Sequence, residues 1–338
     1  MIIAVDAMGG DYAPREIVKG AVAAANEGLA EIILVGDRRQ LEAELELFSP
    51  AADLEIVHTE QVIGMEEQPA LALRHKREAS IVVATRLVKE GRAVAAVSAG
   101  STGAQMAAAL LILGRSAKIQ RPAIATVLPT IKRPVLLLDV GANVDCRPEH
   151  LYEFALMGNL YATRIMGYKN PRIGLLNNAT EASKGNEAAR AAYKLLMTAP
   201  LNFAGNIEGR DIFKGEVDVI VCDGFVGNVI LKFGEGLAQT LLAMLSQELK
   251  GSIRSRLGAT LLLPSFQQIR KQMDYTEYGG APLLGVKGVS IVCHGSSRAP
   301  SIKNAIKVAS YCWKQGLVSG MEQLTAIAEG KVQACQRS

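Results

Sequence analysis

The sequence is poor in aromatic residues, in closely spaced cysteines and in excess charge of either sign. Phe, Trp and Tyr make up 5% of the 338 residues, so the core must be built from aliphatic side chains. None of the five cysteines forms a CxxC pair, which disfavours a zinc ribbon or dithiol site and suits a reducing compartment. A net charge of +4 is too small to indicate nucleic-acid binding, which needs a concentrated basic surface.

The usual nucleotide fingerprints are also missing. No GxGxxG follows an apolar strand, and the segment GAPLLGVK at 280–287 carries one extra residue before its lysine and lacks the following Ser or Thr. These absences disfavour ATP and dinucleotide binding. No His, Asp or Glu cluster has metal-ligand spacing, so we expect neither a metal nor another cofactor. The chain enters an apolar strand at Met1 without a basic leader, and we expect a cytoplasmic protein.

One uncharged stretch, 93–114, is long enough to cross a bilayer. Its centre reads SAGSTG, which would interrupt a membrane helix and place polar groups within it. We therefore interpret this stretch as a buried strand, a polar loop and a buried helix of a soluble fold.

Short apolar runs alternate with helical patterns along most of the chain. This alternation predicts βαβ units and a mostly parallel sheet covered on both faces, that is, a Rossmann-like three-layer α/β sandwich. We expect one domain over residues 1–338, with a two-lobed body as the alternative. The predicted strands are Ile2–Val5, Glu31–Val35, Leu54–His58, Ala93–Val97, Ala123–Leu128, Val135–Leu138, Arg172–Leu176, Val217–Cys222 and Val289–Cys293.

Polar loops, most of them rich in glycine, follow six of these strands. They begin at Asp6, Ser98, Asp139, Asn177, Asp223 and His294. In a parallel sheet such loops would gather at one carboxyl edge, where α/β proteins bind ligands. Loops that open helices also present free N–H groups to anions. We therefore expect a site for a phosphate-bearing ligand there, although each loop alone is also compatible with an ordinary βα turn.

As a set, these loop motifs resemble those of the bacterial phosphate acyltransferases, also called acyl-ACP:phosphate transacylases, of phospholipid synthesis. The resemblance covers nearly the whole chain and preserves the family's motif order. The segments that carry it are AVDAMGGD at 4–11, VSAGSTGA at 97–104, LDVGAN at 138–143, NATEASKG at 178–185, NFAGNIEG at 202–209 and CDGFVGN at 222–228.

The resemblance implies a fold similar to those of phosphotransacetylases and isopropylmalate dehydrogenases. It also implies a reaction in which inorganic phosphate takes an acyl group from an acyl-carrier-protein thioester and gives acyl phosphate. The implied partners are acyl carrier protein, inorganic phosphate, a second copy of the chain, the membrane surface and the membrane glycerol-phosphate acyltransferase. We expect no nucleic-acid partner, and we expect the cytoplasmic protein to associate peripherally with the membrane.

Attack of phosphate on a thioester needs no enzyme nucleophile, which fits the absence of a GxSxG elbow. We interpret Lys184, between a strand-end loop and a helix, as the residue that holds phosphate or polarises the carbonyl; a solvated lysine at a helix start is the alternative. The amide of Asn228 would donate to the oxyanion or to phosphate, unless Asn228 instead caps a helix that starts near Val229. The resemblance points to the same two residues.

A larger set of loop residues completes the predicted binding site. Within this set the carboxylates are interpreted mainly as residues that order the loops, because they repel phosphate. His294 is either a general acid for the leaving thiol or a histidine bonded to its own loop. The candidates are Asp6, Gly9, Gly10, Ser98, Gly100, Ser101, Thr102, Gly103, Asn143, Asn178, Glu181, Asp223, Gly224, His294 and Ser296.

Residues 234–280 depart from the alternating pattern and predict a protruding helical excursion. Basic residues flank an apolar tip formed by Leu257, Leu261, Leu262 and Leu263. This combination suits an anionic membrane surface or an acidic carrier protein, whereas a dimer interface would bury the same leucines. Dimerisation and membrane contact could share the region.

Two other functions remain open from the sequence. A phosphotransacetylase that uses a CoA thioester would require the same chemistry, and the choice of donor separates it from the carrier-dependent reaction. A non-catalytic lipid- or carrier-binding regulator would bind the carrier without forming acyl phosphate. A hydride-transfer enzyme on a related fold is disfavoured, because the sequence has neither a dinucleotide fingerprint nor a metal-carboxylate set.

Overall fold

A computed structural model describes residues 1–48, 54–116, 119–250, 262, 264 and 279–324. These residues form an α/β fold around an eleven-stranded sheet, and the predicted fold class is confirmed. All nine predicted strands are present, with ends within two residues of those expected. The strands are β1 (Ile2–Asp6), β2 (Glu31–Gly36), β3 (Glu55–His58), β4 (Ala95–Ser98), β5 (Ala123–Leu128), β6 (Val135–Leu138), β7 (Arg172–Asn177), β8 (Asn202–Glu208), β9 (Val219–Val221), β10 (Ala281–Leu284) and β11 (Val289–Val292).

Helices cover the sheet. A π-helical turn, Ala109–Leu113, extends α5, and a 3₁₀ turn, Gly209–Lys214, follows β8. The helices are α1 (Arg15–Asn26), α2 (Arg38–Phe48), α3 (Pro69–His75), α4 (Ser80–Lys89), α5 (Thr102–Ala108), α6 (Pro148–Arg164), α7 (Glu187–Met197), α8 (Gly224–Lys250) and α9 (Ala299–Lys314).

The strands follow the order β3-β2-β1-β4-β11-β10-β5-β6-β9-β7-β8 across the sheet. Strands β1, β2, β3, β4 and β11 are parallel to one another, and so are β6, β7, β8 and β9. Three antiparallel pairings, β11–β10, β10–β5 and β5–β6, separate the two sets. An odd number of reversals means that the two sets run in opposite directions.

This reversal corrects one expectation from the sequence. The carboxyl ends of β1, β4 and β11 lie at one edge of the sheet, here called the first edge. Those of β6, β7 and β9 lie at the opposite edge, here called the second edge. The prediction that all six loops gather at one edge is therefore wrong. Strand β10 was not predicted, because it is short and contains Pro282, and proline is disfavoured in strands.

The core is aliphatic, as the composition requires. Its large fully buried side chains are mainly Ile and Leu, with Phe154 as an aromatic exception. The uncharged stretch 93–114 forms β4, a polar loop, α5 and its π-helical turn, so the predicted strand, loop and helix are confirmed. Cys222 and Cys293 are buried at strand ends.

Helix α8 is long, apolar and largely uncovered. It begins at Gly224, before the predicted helical excursion, so that residues 224–228 of the CDGFVGN motif form its first turns. By length and composition alone, 224–249 would also pass as a membrane span, and this single helix among the described residues is weak evidence for one. Of the predicted apolar tip, Leu262 is exposed, whereas Leu257, Leu261 and Leu263 lie outside the described residues, as does most of the excursion between 251 and 278.

Candidate active site

The predicted site residues divide between the two edges of the sheet. The second edge carries both proposed catalytic residues, Lys184 and Asn228, together with Asn143, Asn178, Glu181, Asp223 and Gly224. The first edge carries Asp6, Gly9, Gly10, Ser98, Gly100, Ser101, Thr102, Gly103, His294 and Ser296. A single chain therefore does not bring all these residues into one site.

The loops of the first edge contact one another. The hydroxyl of Ser98 donates to Oδ2 of the buried Asp6 at 2.6 Å and accepts from the N–H of Gly100 at 3.0 Å. A Cβ on Gly9 would lie 2.6 Å from that Asp6 oxygen and 2.8 Å from the Gly100 nitrogen. Glycine is therefore needed here so that two loops can approach each other.

Other polar groups of the first edge are also engaged. Ser101 accepts from the N–H of Ala104 and caps α5, and the N–H of Asp11 donates to the carbonyl of Gly295 at 2.8 Å. Nδ1 of His294 lies 2.7 Å from the hydroxyl of Ser296. This contact within the loop supports the structural interpretation of His294, which lies across the sheet from Lys184.

At the second edge, the buried carboxylate of Asp139 organises the loop after β6. Its Oδ1 accepts N–H groups from Ile124 at 3.0 Å, Gly141 at 3.2 Å and Ala142 at 3.0 Å. Its Oδ2 accepts the backbone N–H of Asn143 at 2.8 Å and the side-chain amide of Asn143 at 2.9 Å. Burial raises the pKa of Asp139, and these donors oppose that effect. Asp139 therefore shapes the loop.

Asn143 and Asp223 connect this loop to the start of α8. The Nδ2 of Asn143 donates to the carbonyl of Pro122 at 2.7 Å as well as to Asp139, so its amide donors serve the loop and not a substrate. The N–H of Gly224 donates to the carbonyl of Asn143 at 2.7 Å. Asp223 caps α8 by accepting from Val226 at 2.8 Å.

Asn228 lies inside the first two turns of α8, because the helix begins at Gly224. The alternative that Asn228 caps a helix starting near Val229 is therefore wrong. A Cβ on Gly141 would lie 3.8 Å from Asn228, so the asparagine side chain sits beside the loop that Asp139 shapes. Asn228 is half-buried.

Two asparagines shape the loop that carries Lys184. Nδ2 of Asn177 donates to the carbonyl of Lys184 at 3.2 Å, while its Oδ1 accepts from the N–H of Asn178 at 2.8 Å. The Nδ2 of Asn206 donates to the carbonyl of Glu181 at 2.9 Å. These bonds leave the Lys184 side chain exposed and without an ion pair to a described carboxylate. Its ammonium group is therefore available to an anion.

A cavity of about 980 Å³, here called the main cavity, opens between these loops at the second edge. Its wall combines polar loop residues with apolar side chains of α6, α7 and α8, a combination that fits an acyl thioester. Lys184 immediately precedes the wall residue Gly185, and Asn228 lies two residues beyond Val226. The lining includes Asp145, Cys146, Asn177, Asn178, Gly185, Asp223, Phe225, Val226 and Ile230.

Cys146 lines the main cavity but is unsuited to covalent catalysis. Burial, together with the negative charges of Asp139 and Asp223, raises the pKa of its thiol to about 12. A thiol is nucleophilic mainly as the thiolate, and this environment keeps the proton on sulfur. The geometry therefore favours attack by the acceptor substrate itself. Among the described residues, no group of three His, Cys, Asp or Glu side chains is arranged to hold a metal ion.

Comparison with known proteins identifies the family. Residues 1–319 match the model of a family described as fatty acid synthesis protein. The chain is 72% identical over 337 residues to a phosphate acyltransferase of Moorella thermoacetica, and the match covers 99% of each chain. The chain belongs to the phosphate acyltransferase family. A phosphate acyltransferase of Heliobacterium modesticaldum is 58% identical over 325 residues, which cover 96% of this chain and 97% of that relative.

Family membership makes the protein an enzyme, an acyltransferase of lipid biosynthesis. The phosphate acyltransferase fold is shared with more distant proteins. A phosphotransacetylase of Streptococcus pyogenes superposes with a TM-score of 0.65 at 18% identity, covering 92% of this chain and 93% of that one. A branched-chain phosphotransacylase of Enterococcus faecalis gives a TM-score of 0.56 at 16% identity, covering 91% and 98%. At these identities the likeness concerns the fold alone.

Several residues at the second edge of this phosphate acyltransferase were not predicted from the sequence. Asp145 and Cys146 follow the LDVGAN motif directly, and continuing that loop by three residues would have included them. Phe225, Val226 and Ile230 were hidden because α8 was expected to start later. Arg121 and Arg147 were not singled out, because no motif contains them and they are far apart in sequence.

Proposed function

We propose that the enzyme transfers a fatty acyl group from an acyl-carrier-protein thioester to inorganic phosphate. The phosphate oxygen forms a bond to the carbonyl carbon, the carbon–sulfur bond breaks, and the products are acyl phosphate and the carrier thiol, which takes up a proton. The observation that carries the proposal is the main cavity, whose partly apolar wall includes Gly185, the residue that follows the exposed Lys184. An activated cysteine is not required.

Lys184 and Asn228 fill complementary roles in this proposal. The ammonium group of Lys184 attracts the phosphate dianion and holds it next to the thioester. The Asn228 amide donates to the carbonyl oxygen as negative charge develops there. Asp139 does not touch the substrates; it fixes the loop beside Asn228 through its five accepted hydrogen bonds.

The Lys184 assignment predicts a large loss of turnover in Lys184→Ala. We expect kcat/KM for acyl phosphate formation to fall by at least about a hundredfold, measured by phosphate-dependent loss of the carrier thioester with hydroxylamine trapping of the product. Lys194→Ala is the matched control, because Lys194 is exposed on the following helix, α7. Equal activities of the two variants would refute the role of Lys184.

The same assay separates the alternative functions. Faster reaction with acyl-CoA than with acyl carrier protein would indicate a CoA-dependent phosphotransacetylase. Carrier binding without acyl phosphate formation would indicate a regulator. Acyl phosphate is the product expected for an enzyme that feeds the glycerol-phosphate acylation step at the membrane, as the sequence resemblance implies.

We further propose that the enzyme acts in the cytoplasm as a homodimer associated peripherally with the membrane, where it meets the glycerol-phosphate acyltransferase. An exposed apolar stripe on α8 supports the dimer, because a stripe this long is unusual on a monomer. Successive members lie three or four residues apart, except for the adjacent Met244 and Leu245, and they share one helix face. The stripe comprises Val226, Val229, Phe233, Leu237, Leu241, Met244 and Leu245.

The dimer proposal predicts that charge on this stripe separates the copies. The double variant Phe233→Asp/Leu241→Asp should sediment as a monomer, because two carboxylates would be buried without partners at the interface. Gln239→Asp/Ser246→Asp adds the same charge on the opposite face of α8 and should remain dimeric. A wild-type monomer, or a dimer that survives both changes, would contradict the proposal. Vesicle flotation of the same set measures membrane association separately.

A further inference from the structure

A second cavity at the second edge is strongly basic. It has a volume of about 440 Å³ and lies where the loop before β5 meets the start of α6. We call it the arginine cavity. Its charged and titratable lining residues are Arg115, Arg121, Arg147 and His150, and Leu110, Gln120 and Pro122 complete the wall.

The arginines are available to a ligand. All three are exposed, and none has a carboxylate of a described residue within the 4.0 Å of an ion pair. Arg115 donates from Nη1 to the carbonyl of Gln120 at 2.7 Å. The nearby carboxylate of Glu153 is buried and accepts the backbone N–H of Gln120 at 2.8 Å, so it holds the loop in place.

His150 adds a neutral donor to the arginine cavity. The backbone N–H of Arg147 donates to Nδ1 of His150 at 3.2 Å, which assigns the ring proton to Nε2. Burial and the charges of Arg121 and Arg147 lower the pKa of His150. The N-terminus of the 17-residue α6 adds its positive end to the same region. Guanidinium, imidazole N–H and helix N-terminus together match a phosphate oxyanion.

The two cavities flank a single loop, the one shaped by Asp139. Cys146 lines the main cavity, and the next residue, Arg147, lines the arginine cavity. Asn143, which precedes the main-cavity residue Val144, donates a hydrogen bond at 2.7 Å to the carbonyl of Pro122 in the wall of the arginine cavity. A substrate with a reactive end and a separate anionic group could therefore occupy both cavities at once.

We propose that the arginine cavity binds the phosphodiester of the phosphopantetheine arm that presents the acyl thioester to the main cavity. This inference rests on the proposed carrier-thioester donor and names the group by which the enzyme holds it. Such an arm has the thioester at one end and the phosphodiester at the other. A single arm can therefore place one of these groups in each of the two neighbouring cavities.

Inorganic phosphate is an anion like the phosphodiester, but it fits the position of the arginine cavity less well. The acceptor phosphate must touch the thioester carbonyl, so it belongs in the main cavity beside Lys184. An exposed group of three arginines outside that cavity would hold it away from the reacting carbon. A phosphate group on the donor has no such constraint, because it takes no part in bond making.

The test neutralises two arginines and measures each substrate separately. In Arg121→Gln/Arg147→Gln we expect KM for the acyl carrier protein thioester to rise at least tenfold, while kcat and KM for inorganic phosphate stay within twofold of wild type. The control Lys89→Gln/Lys314→Gln removes the same charge from exposed helix ends and should leave all three constants within twofold. Thermal unfolding of every variant checks the fold.

A truncated donor isolates the phosphate contact. Wild type should use an acyl-phosphopantetheine at least tenfold more efficiently than the corresponding acyl-pantetheine, and the double arginine variant should lose this preference. No preference in wild type, or a rise in KM for inorganic phosphate alone, would overturn the inference.

A binding measurement separates this inference from the proposed function. Calorimetry with 4′-phosphopantetheine needs no turnover, so binding that depends on the two arginines would support the cavity assignment even if wild type formed no acyl phosphate. Equal binding by wild type and the double variant would refute the assignment even in an active enzyme.

Discussion

The two edges of the sheet start from similar sequences and reach different structures. Each has a buried aspartate at the end of a strand, followed by a glycine-containing loop: Asp6 is the last residue of β1, and Asp139 directly follows β6. At the first edge, Gly9 allows the loop to pack against Gly100. At the second edge, Asp139 holds its loop open beside a cavity of about 980 Å³. Glycine in a strand-end loop can therefore indicate loop-to-loop packing as readily as a binding site.

The largest effect on stability is expected where α8 meets the Asp139 loop. A Cβ on Gly227 would collide with the carbonyl oxygen of Asp139 and lie 3.0 Å from Sγ of Cys222. Because the Asp139 atom belongs to the backbone, it cannot move aside as a flexible side chain could. Gly227→Ala should lower the free energy of unfolding by at least about 3 kcal/mol, measured by urea denaturation. Gly236→Ala is the control on the same helix, because no atom lies within 4 Å of its added Cβ. It should be neutral or stabilise by up to about 1 kcal/mol.

Exchanging each buried carboxylate for an amide compares the two edges directly. Asp139→Asn places an NH₂ group against N–H donors, so we expect a loss of about 3 kcal/mol. Asp6→Asn should cost about 1 kcal/mol, because the Ser98 hydroxyl can rotate to accept from the new amide. Chemical denaturation at neutral pH gives both values. A larger loss of stability in Asp6→Asn than in Asp139→Asn would mean that the first edge depends more on its carboxylate than the second edge does.

A smaller effect is expected in the pH dependence of stability. Burial raises the pKa of Asp6, so the folded protein keeps this proton to higher pH than the unfolded chain does. The contribution of Asp6 to stability is therefore complete in acid and is lost as pH rises through the folded pKa. We expect the stability difference between wild type and Asp6→Asn to shrink from about pH 4 to about pH 7. A difference that grows over this range would contradict the assignment.

Local sequence patterns predicted most of the helices and strands. Features that depend on contacts between distant parts of the chain were not predicted. Alternating apolar runs are local, so all nine predicted strands appear. Strand β10 has a proline at its second position, and missing it concealed the reversal that sends the two loop sets to opposite edges. Helix α8 was expected to start late, because Gly224 and Gly227 disfavour a helix in isolation. Packing of Gly227 against Asp139 overrides that preference.

For the candidate site, the sequence motifs identified the loops but did not show that these loops lie at two opposite edges of the sheet. Asn178 and Asp223 line the main cavity, and Lys184 and Asn228 lie one and two residues from its wall residues Gly185 and Val226, whereas His294 lies across the sheet. The arginine cavity had no sequence signature, since Arg121 precedes β5 and Arg147 precedes α6. Only the antiparallel pairing of β5 with β6 brings these two positions together.

The placement of β11 also has a consequence for the order in which the chain can fold during synthesis. Strands β6, β7, β8 and β9 come from one continuous segment, so the half that carries the main cavity can pair its strands as soon as Val221 has been made. The other half must wait, because β11 pairs with β4 and is translated long afterwards. A nascent chain therefore holds the exposed edge of β4 unpaired for most of its synthesis, and this is the stage at which we expect it to need protection from aggregation.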